Sequence, residues 1–315
     1  MGRSPQTLDP EVGAFLATLP ASPALSRESL PGIRAARAAA PLPALSDRVV
    51  RTTATVPGDP PVTLRISRPR VGPEPLACIY SIHGGGFVNG SARSDDLRFD
   101  DWCQRLECVG VSVEYRLAPE TAYPGPLEDC YAGIEWLFAH ASELGIDPTR
   151  VGLLGVSAGG GLAAGTALRL RDRAGARPAF LMLQAPMLDD RQVTESSQWD
   201  DVPVWGPESN AFGWQAYLGD AYGTAWVSPY AAPSRATDLS GLPATYVAVG
   251  SLDGFHDEDV EFAQRLVRAG VSTDLHVYAG APHAFDLPGC EASVAVRARR
   301  DALEWLAGRL GQPAK

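Results

Sequence analysis

Short apolar runs punctuate this chain, and the stretches between them carry apolar residues at helical spacing. Ala77-Cys78-Ile79-Tyr80-Ser81-Ile82, Val109-Gly110-Val111-Ser112-Val113, Val151-Gly152-Leu153-Leu154, Phe180 to Gln184 and Leu242 to Gly250 read as apolar strands, and Thr273 to Tyr278 alternates apolar and polar side chains. A helix-forming stretch runs from Leu162 to Arg173, and strand and helix patterns alternate from Ala77 to the end. That alternation predicts a mostly parallel sheet with helices on both faces. Upstream, Arg48 to Thr55 and Val62 to Ser67 flank Pro57-Gly58-Asp59-Pro60-Pro61, which predicts an antiparallel hairpin at the sheet edge.

Two regions break the alternation. Residues 1 to about 45 are rich in Ala, Pro and Leu, with a helical stretch near Pro10 to Leu19 and an Ala-Arg run, Ile33 to Ala40, that reads as a helix rather than a binding stripe. Residues from about 191 to 238 carry Trp199, Trp205, Phe212, Trp214, Tyr217 and Trp226. A long aromatic insertion between strands must bury its rings somewhere, either over the mouth of a site or in a satellite core. At 315 residues, 45% hydrophobic and 20% charged, the whole fits one large α/β domain with insertions.

The strand Val151 to Leu154 runs into Gly155-Val156-Ser157-Ala158-Gly159-Gly160, with the helix-forming stretch behind it. This is the strand, turn and helix setting of a Gly-x-Ser-x-Gly nucleophile elbow, a pattern that is weak evidence when it stands alone. A second motif strengthens it: the strand Ala77 to Ile82 is followed at once by His83-Gly84-Gly85-Gly86-Phe87. Consecutive glycines let backbone N–H groups turn toward a developing negative charge, so Gly85, Gly86 and Ala158 are the expected oxyanion donors and Ser157 the nucleophile.

Acid and base should then follow the serine along the chain. Of the downstream histidines, His256, His276 and His283, His276 lies within a strand pattern, whereas His283 sits in a loop just past that strand and is the expected base. Asp253, at the exit of the strand Leu242 to Gly250, is the expected acid, with Asp189 as its rival; Asp257 and Asp259 read as first-turn residues of the next helix. Arg116 and Glu120, in Tyr115-Arg116-Leu117-Ala118-Pro119-Glu120, read as a structural ion pair, and Asp129 as a cap or packing residue.

Taken together, His83 to Phe87, Tyr115 to Glu120, Gly155 to Gly160, the block Asp253 to Glu258 and Pro282-His283-Ala284-Phe285 resemble the hormone-sensitive-lipase-like esterases, the bacterial family IV carboxylesterases. The resemblance covers about Val62 to Asp286. It departs from the family pattern at Val156 before the serine, at Ala284 after the histidine, and at Gly254 and Phe255 after the aspartate. It implies an α/β-hydrolase fold with a catalytic domain of residues 46–190 and 239–315, an N-terminal cap segment 1–45 and a cap insertion 191–238. It also implies hydrolysis of short- to medium-chain carboxylic esters through an acyl-enzyme on Ser157, no cofactor, and a homodimer as the family's frequent state. Amidase or lactonase chemistry with the same triad, or a ligand receptor on the same fold, are the alternatives.

The chain has no apolar run long enough to span a bilayer, and its first residues lack a signal-peptide pattern; Gln6 stands where myristoylation needs Ser or Thr. A cytoplasmic protein is expected. Five cysteines without a Cys-x-x-Cys pair read as buried reduced thiols rather than a metal site. The formal net charge of −10 argues against nucleic acid or an anionic membrane as a partner and leaves a small-molecule ester.

Overall fold

Side-chain alternation along each strand sorts the core into two layers. In the computed structural model, which describes residues 2–20, 23–41, 43–72 and 74–311, eight strands form one sheet in the order β1-β2-β4-β3-β5-β6-β7-β8. They are β1 (Val49–Val56), β2 (Val62–Pro69), β3 (Leu76–Ile82), β4 (Cys108–Glu114), β5 (Ile146–Val156), β6 (Phe180–Gln184), β7 (Ala244–Gly250) and β8 (Thr273–Tyr278). Strands β1, β2 and β4 pair antiparallel and the rest of the sheet is parallel, so the expected hairpin lies at one edge.

The helices are α1 (Pro10–Leu16), α2 (Leu30–Ala39), α3 (Asp96–Arg105), α4 (Gly125–Ala139), α5 (Ala158–Asp172), α6 (Pro207–Leu218), α7 (His256–Arg268) and α8 (Ser293–Leu310). From β3, Cys78, Tyr80 and Ile82 face one core with Leu127 and Ile134 of α4, Leu162 of α5 and Phe262 of α7. Ala77 and Ile79 face the other core, with Phe99 and Trp102 of α3 and Leu303 and Leu306 of α8. Strands β5 and β6 split likewise, Leu153, Leu181 and Leu183 to the first side and Leu154, Phe180 and Met182 to the second. A period of two with both faces apolar is what a sheet sandwiched between helices requires, and each such buried side chain contributes about 1.5–3 kcal/mol.

Helix α5 starts against the carboxyl ends of β3 and β5, and glycine makes that approach achievable. A Cβ on Gly159 would lie 2.0 Å from the Ile82 carbonyl oxygen, and one on Gly155 would lie 2.2 Å from that of Gly159. The turn joining β5 to α5 is therefore drawn tight at the centre of the sheet, where β3, β5 and β6 end side by side.

Several expected contacts take other partners. Arg116 pairs with buried Asp129 (2.7 Å), which also accepts the Arg116 backbone N–H (2.9 Å), so Asp129 anchors a loop and does not cap α4. Glu120 pairs with Arg34 of α2 (2.7 Å), not with Arg116. A carboxylate as buried as Asp129 must find a cation, and the guanidinium within reach is the one on the preceding loop. Trp214 and Tyr217 of α6 join the main core and stack around Phe87, whereas Trp226 is 89% exposed and packs in neither a core nor a lid. All five cysteines are free and buried, and burial pushes the Cys78 and Cys130 thiols above their ordinary range. Positions 1, 21, 22, 42, 73 and 312–315 of the expected segments, with the N-terminal Met on which the myristoylation reading bears, lie outside the described residues.

Candidate active site

The turn after β5 forces Ser157 to φ 56° and ψ −124°, an uncommon conformation for a residue with a side chain. Backbone bonds hold it there: its N–H donates to Gln184 O (2.9 Å), and its carbonyl accepts from Gly160 (2.8 Å), Gly161 (3.2 Å) and Met187 (3.0 Å). Strained backbone persists only where its surroundings over-determine it, and here four bonds from α5, β6 and the following loop do so.

From this elbow Ser157 Oγ lies 3.0 Å from His283 Nε2, and His283 Nδ1 lies 2.8 Å from Asp253 Oδ2. A carboxylate can only accept, so Nδ1 carries the hydrogen and Nε2 is left to accept the serine hydroxyl. The second carboxylate oxygen accepts the Phe255 N–H (3.0 Å). The loops that present acid and base are laced together: Leu252 N–H donates to Ala281 O (3.0 Å) and Gly280 N–H to Ser251 Oγ (2.9 Å). The Phe255 ring meets the His283 imidazole edge-on at 5.1 Å, and Trp205 lies 6.2 Å away on another side. Ser157, His283 and Asp253 are 6%, 6% and 1% exposed, so a substrate must reach them from within a cavity.

The other acidic and imidazole candidates go elsewhere. Asp189 is held by Arg191 (2.6 Å) and Asp190 by Arg235 (2.6 Å). His256 pairs with Asp257 (2.8 Å), and His276 sits on β8 against the Tyr246 ring (4.7 Å). Asp259 does lie in the first turn of α7 but is fully buried, its two oxygens unpartnered among the described residues. Beside it, buried Glu258 accepts the N–H groups of Leu188 (2.7 Å) and Asp189 (3.1 Å) through one oxygen. Desolvation, reinforced by neighbouring carboxylates, raises both acids well above the ordinary carboxylate range.

Gly85 and Gly86 take φ 124° and 61°. Among the described residues, their N–H groups and that of Ala158, first residue of α5, have no protein acceptor. A side chain on Gly85 would collide with Asn89 O at 2.0 Å, and one on Gly86 would meet Trp205 at 2.3 Å, which makes both positions glycine by necessity. Phe87 locks the loop by stacking on Tyr217 (4.1 Å), and its carbonyl accepts from Ala118 (2.9 Å).

His83, at the start of the loop, is buried and stacked on Tyr115 at 4.2 Å; Nδ1–H donates to Gly84 O (2.9 Å), and Tyr115 Oη donates to His83 O (2.9 Å). Burial lowers its pKa to about 4, so the loop is held by a neutral imidazole. The supporting roles of Tyr115 and Glu258 were hidden in sequence, where only the motif position of each was visible and not the carbonyl or N–H it serves.

A cavity of about 940 Å³ opens onto Ser157, His283 and Gly84 to Gly86, walled by Leu25 and Ile33 from the N-terminal region and by Val202, Trp205 and Pro207 from the insertion. A second, of about 650 Å³, meets it at Gly84, Ser94, Val156 and Leu287. Among the described residues no group of three or more His, Cys, Asp and Glu could hold a metal ion, and no helix is long and apolar enough to cross a membrane.

Comparison with known proteins agrees with the geometry. Residues 79–287 match the profile of a family described as the alpha/beta hydrolase fold. The chain is 33% identical to esterase LipI of Mycobacterium tuberculosis over 219 residues, 69% of this chain and 68% of that protein. It is 31% identical to carboxylesterase NlhH of the same organism over 231 residues, 72% of each. Among solved structures, a bacterial heroin esterase superposes with a TM-score of 0.92 at 43% identity, covering 96% of this chain and 98% of that one.

Proposed function

Because the chain belongs to the alpha/beta hydrolase fold family, and its relatives are esterases, we propose that it is a serine carboxylesterase in which Ser157 is the nucleophile, His283 the base, Asp253 the orienting acid, and Gly85, Gly86 and Ala158 the oxyanion hole. The observation that carries this reading is the continuous chain Ser157 Oγ, His283, Asp253, at 3.0 and 2.8 Å, set beside three N–H groups with no acceptor among the described residues.

In the reaction His283 Nε2 takes the Ser157 proton as Oγ attacks the ester carbonyl, and the carbonyl oxygen, now negative, receives hydrogen bonds from the three amides. The imidazolium is stabilised by Asp253 and returns the proton to the departing alcohol. Water, deprotonated by the same imidazole, then releases the acid from the acyl-enzyme. The amides are fixed before charge develops, so no reorganisation is spent at the barrier.

Residues 1–45 and 191–238 act as a two-part cap, a reading supported by the cavity walls that both regions supply. Short to medium acyl chains suit a cavity of about 940 Å³. The protein is cytoplasmic and homodimeric in this reading, which sedimentation at several concentrations would test. Initial rates on 4-nitrophenyl acetate, butyrate, octanoate and palmitate should peak at short acyl length, and Ser157→Ala should remove about a thousandfold or more. Equal rates in the two proteins would overturn the assignment.

A further inference from the structure

Helix α2 brings two arginines to the active-site side of the molecule, and they behave differently. Arg34 is fully engaged: Nε donates to Val88 O (2.8 Å), Nη2 to Ala118 O (2.8 Å), and the guanidinium pairs with Glu120 (2.7 Å). These bonds pin α2 to the oxyanion loop. One turn further, Arg37 lies on the same side of the helix and lines the cavity that holds Ser157. Among the described residues it has neither a carboxylate within 4.0 Å nor a hydrogen-bond acceptor for its guanidinium.

Arg37 is solvent-exposed where it lines the cavity. Its charge is felt at His83 and Tyr115, which back the oxyanion loop, and the cavity wall strips enough water from it to lower its pKa. A guanidinium nonetheless keeps its proton in a protein. Asn89 lines the same cavity and is 5% exposed, and its Oδ1 accepts the Gly90 N–H (2.8 Å). That bond fixes the amide orientation and leaves the Asn89 NH₂ without an acceptor among the described residues. Ser94, an exposed residue, adds a hydroxyl with no partner among the described residues to the same wall. The acids that line this cavity, Asp200 and Glu208, come from the insertion and are exposed, and neither pairs with Arg37.

Three donors and a positive charge without acceptors, within one cavity of an ester-cleaving site, are complementary to a planar anion. We infer that Arg37, with the Asn89 amide and the Ser94 hydroxyl, binds a carboxylate carried by the substrate, so that the preferred substrates are half-esters: carboxylic esters with a second, free carboxylate in the acyl or the alcohol part. This rests on the serine esterase reading and adds the substrate class. It also accounts for a cation retained in the site of a chain whose net charge of −10 would otherwise repel such substrates.

The test compares each carboxylate ester with its neutral carboxamide. For the acyl side the pair is monoethyl glutarate and ethyl 4-carbamoylbutanoate; for the alcohol side it is the butyrate ester of glycolate and that of glycolamide. Rates are followed by pH-stat with wild type, Arg37→Gln, Arg37→Lys and Ser94→Ala. In one pair at least, wild type should favour the carboxylate by about tenfold or more in kcat/KM. Arg37→Gln should erase that ratio, Arg37→Lys should keep part of it, Ser94→Ala should reduce it, and salt should weaken it. Equal rates on both members of both pairs, or a ratio unchanged in Arg37→Gln, would overturn the carboxylate site and leave the esterase standing. A wild type inert toward all four and toward ethyl butyrate would overturn the esterase reading as well.

Discussion

Asp253→Asn is an isosteric change whose effect follows from two hydrogen bonds. Oδ1 accepts the Phe255 N–H at 3.0 Å and Oδ2 accepts His283 Nδ1–H at 2.8 Å, so the carboxylate serves two donors. An amide has one acceptor. If its oxygen stays on Phe255, its NH₂ faces Nδ1, and the imidazole must accept there and carry its hydrogen on Nε2. That hydrogen points at Ser157 Oγ, 3.0 Å away, and no base remains. The flipped amide keeps the productive tautomer but sets its NH₂ against the buried Phe255 N–H, at a cost of about 1–3 kcal/mol. The imidazolium that forms during turnover also loses its counter-charge, an attraction of roughly 6 kcal/mol at 2.8 Å for an effective dielectric near 20, of which only part is net.

A combined loss of about 4–5.5 kcal/mol corresponds to a drop in kcat of roughly 10³–10⁴. Thermal stability should change little, because the amide satisfies the ring nitrogen in the ground state. The assay is initial rates on 4-nitrophenyl butyrate from pH 6 to 10, paired with thermal unfolding. Asp189→Asn serves as the control, and should stay within a few-fold of wild type because Asp189 is held by Arg191. A kcat for Asp253→Asn within tenfold of wild type, or a larger loss in Asp189→Asn, would refute the reasoning.

Other substitutions test the supports of the site. Gly86→Ala puts a Cβ 2.3 Å from the Trp205 ring at φ 61°, so kcat on 4-nitrophenyl butyrate should fall by about 10²–10³ as the loop shifts its N–H groups, and a loss under threefold would contradict that. Tyr115→Phe removes the Oη bond to His83 O and should cost about 1–2 kcal/mol in chemical denaturation while lowering kcat; a neutral effect on both would show that the loop does not depend on it. Asp259 has a native pKa above its unfolded value, so its favourable contribution is complete below about pH 4 and is lost as pH rises toward the native pKa. Asp259→Asn should therefore unfold at higher temperature than wild type at pH 8, with the gap closing toward pH 4; a gap independent of pH would refute the assignment.

How much of this was legible in the chain depended on the range of the interaction. The short apolar runs of β3, β5 and β6 and the glycine-dense turn at Ser157 are local signals, and the sheet and the elbow follow from them. Chain order together with a place at a strand exit or in a loop pointed to Asp253 and His283, and the structure sets both within a hydrogen-bonded chain to Ser157. Partners separated by long stretches were not legible. Nothing near Glu120 announces Arg34, 86 residues away, and nothing near Asp129 says that it will hold the Arg116 loop rather than cap its own helix. Asp259 looked like an ordinary helix-start acid because its burial is set by the packing of α7 and not by its neighbours in sequence. Trp214 and Tyr217 were equally compatible with a lid until the stacking on Phe87 assigned them to the core. Arg37 was absorbed into an Ala-Arg helix, since a missing partner is visible only in three dimensions.

If Ser157 forms the covalent intermediate, a reagent that mimics the ester but does not leave should trap it. The protein should be incubated with an excess of a fluorophosphonate, weighed intact, digested and sequenced by tandem mass spectrometry, with Ser157→Ala alongside. One adduct per chain on the peptide containing Ser157, absent from the variant and formed in step with the loss of esterase activity, is the predicted result. Labelling at another residue, or full hydrolysis by the Ser157→Ala protein, would contradict the account.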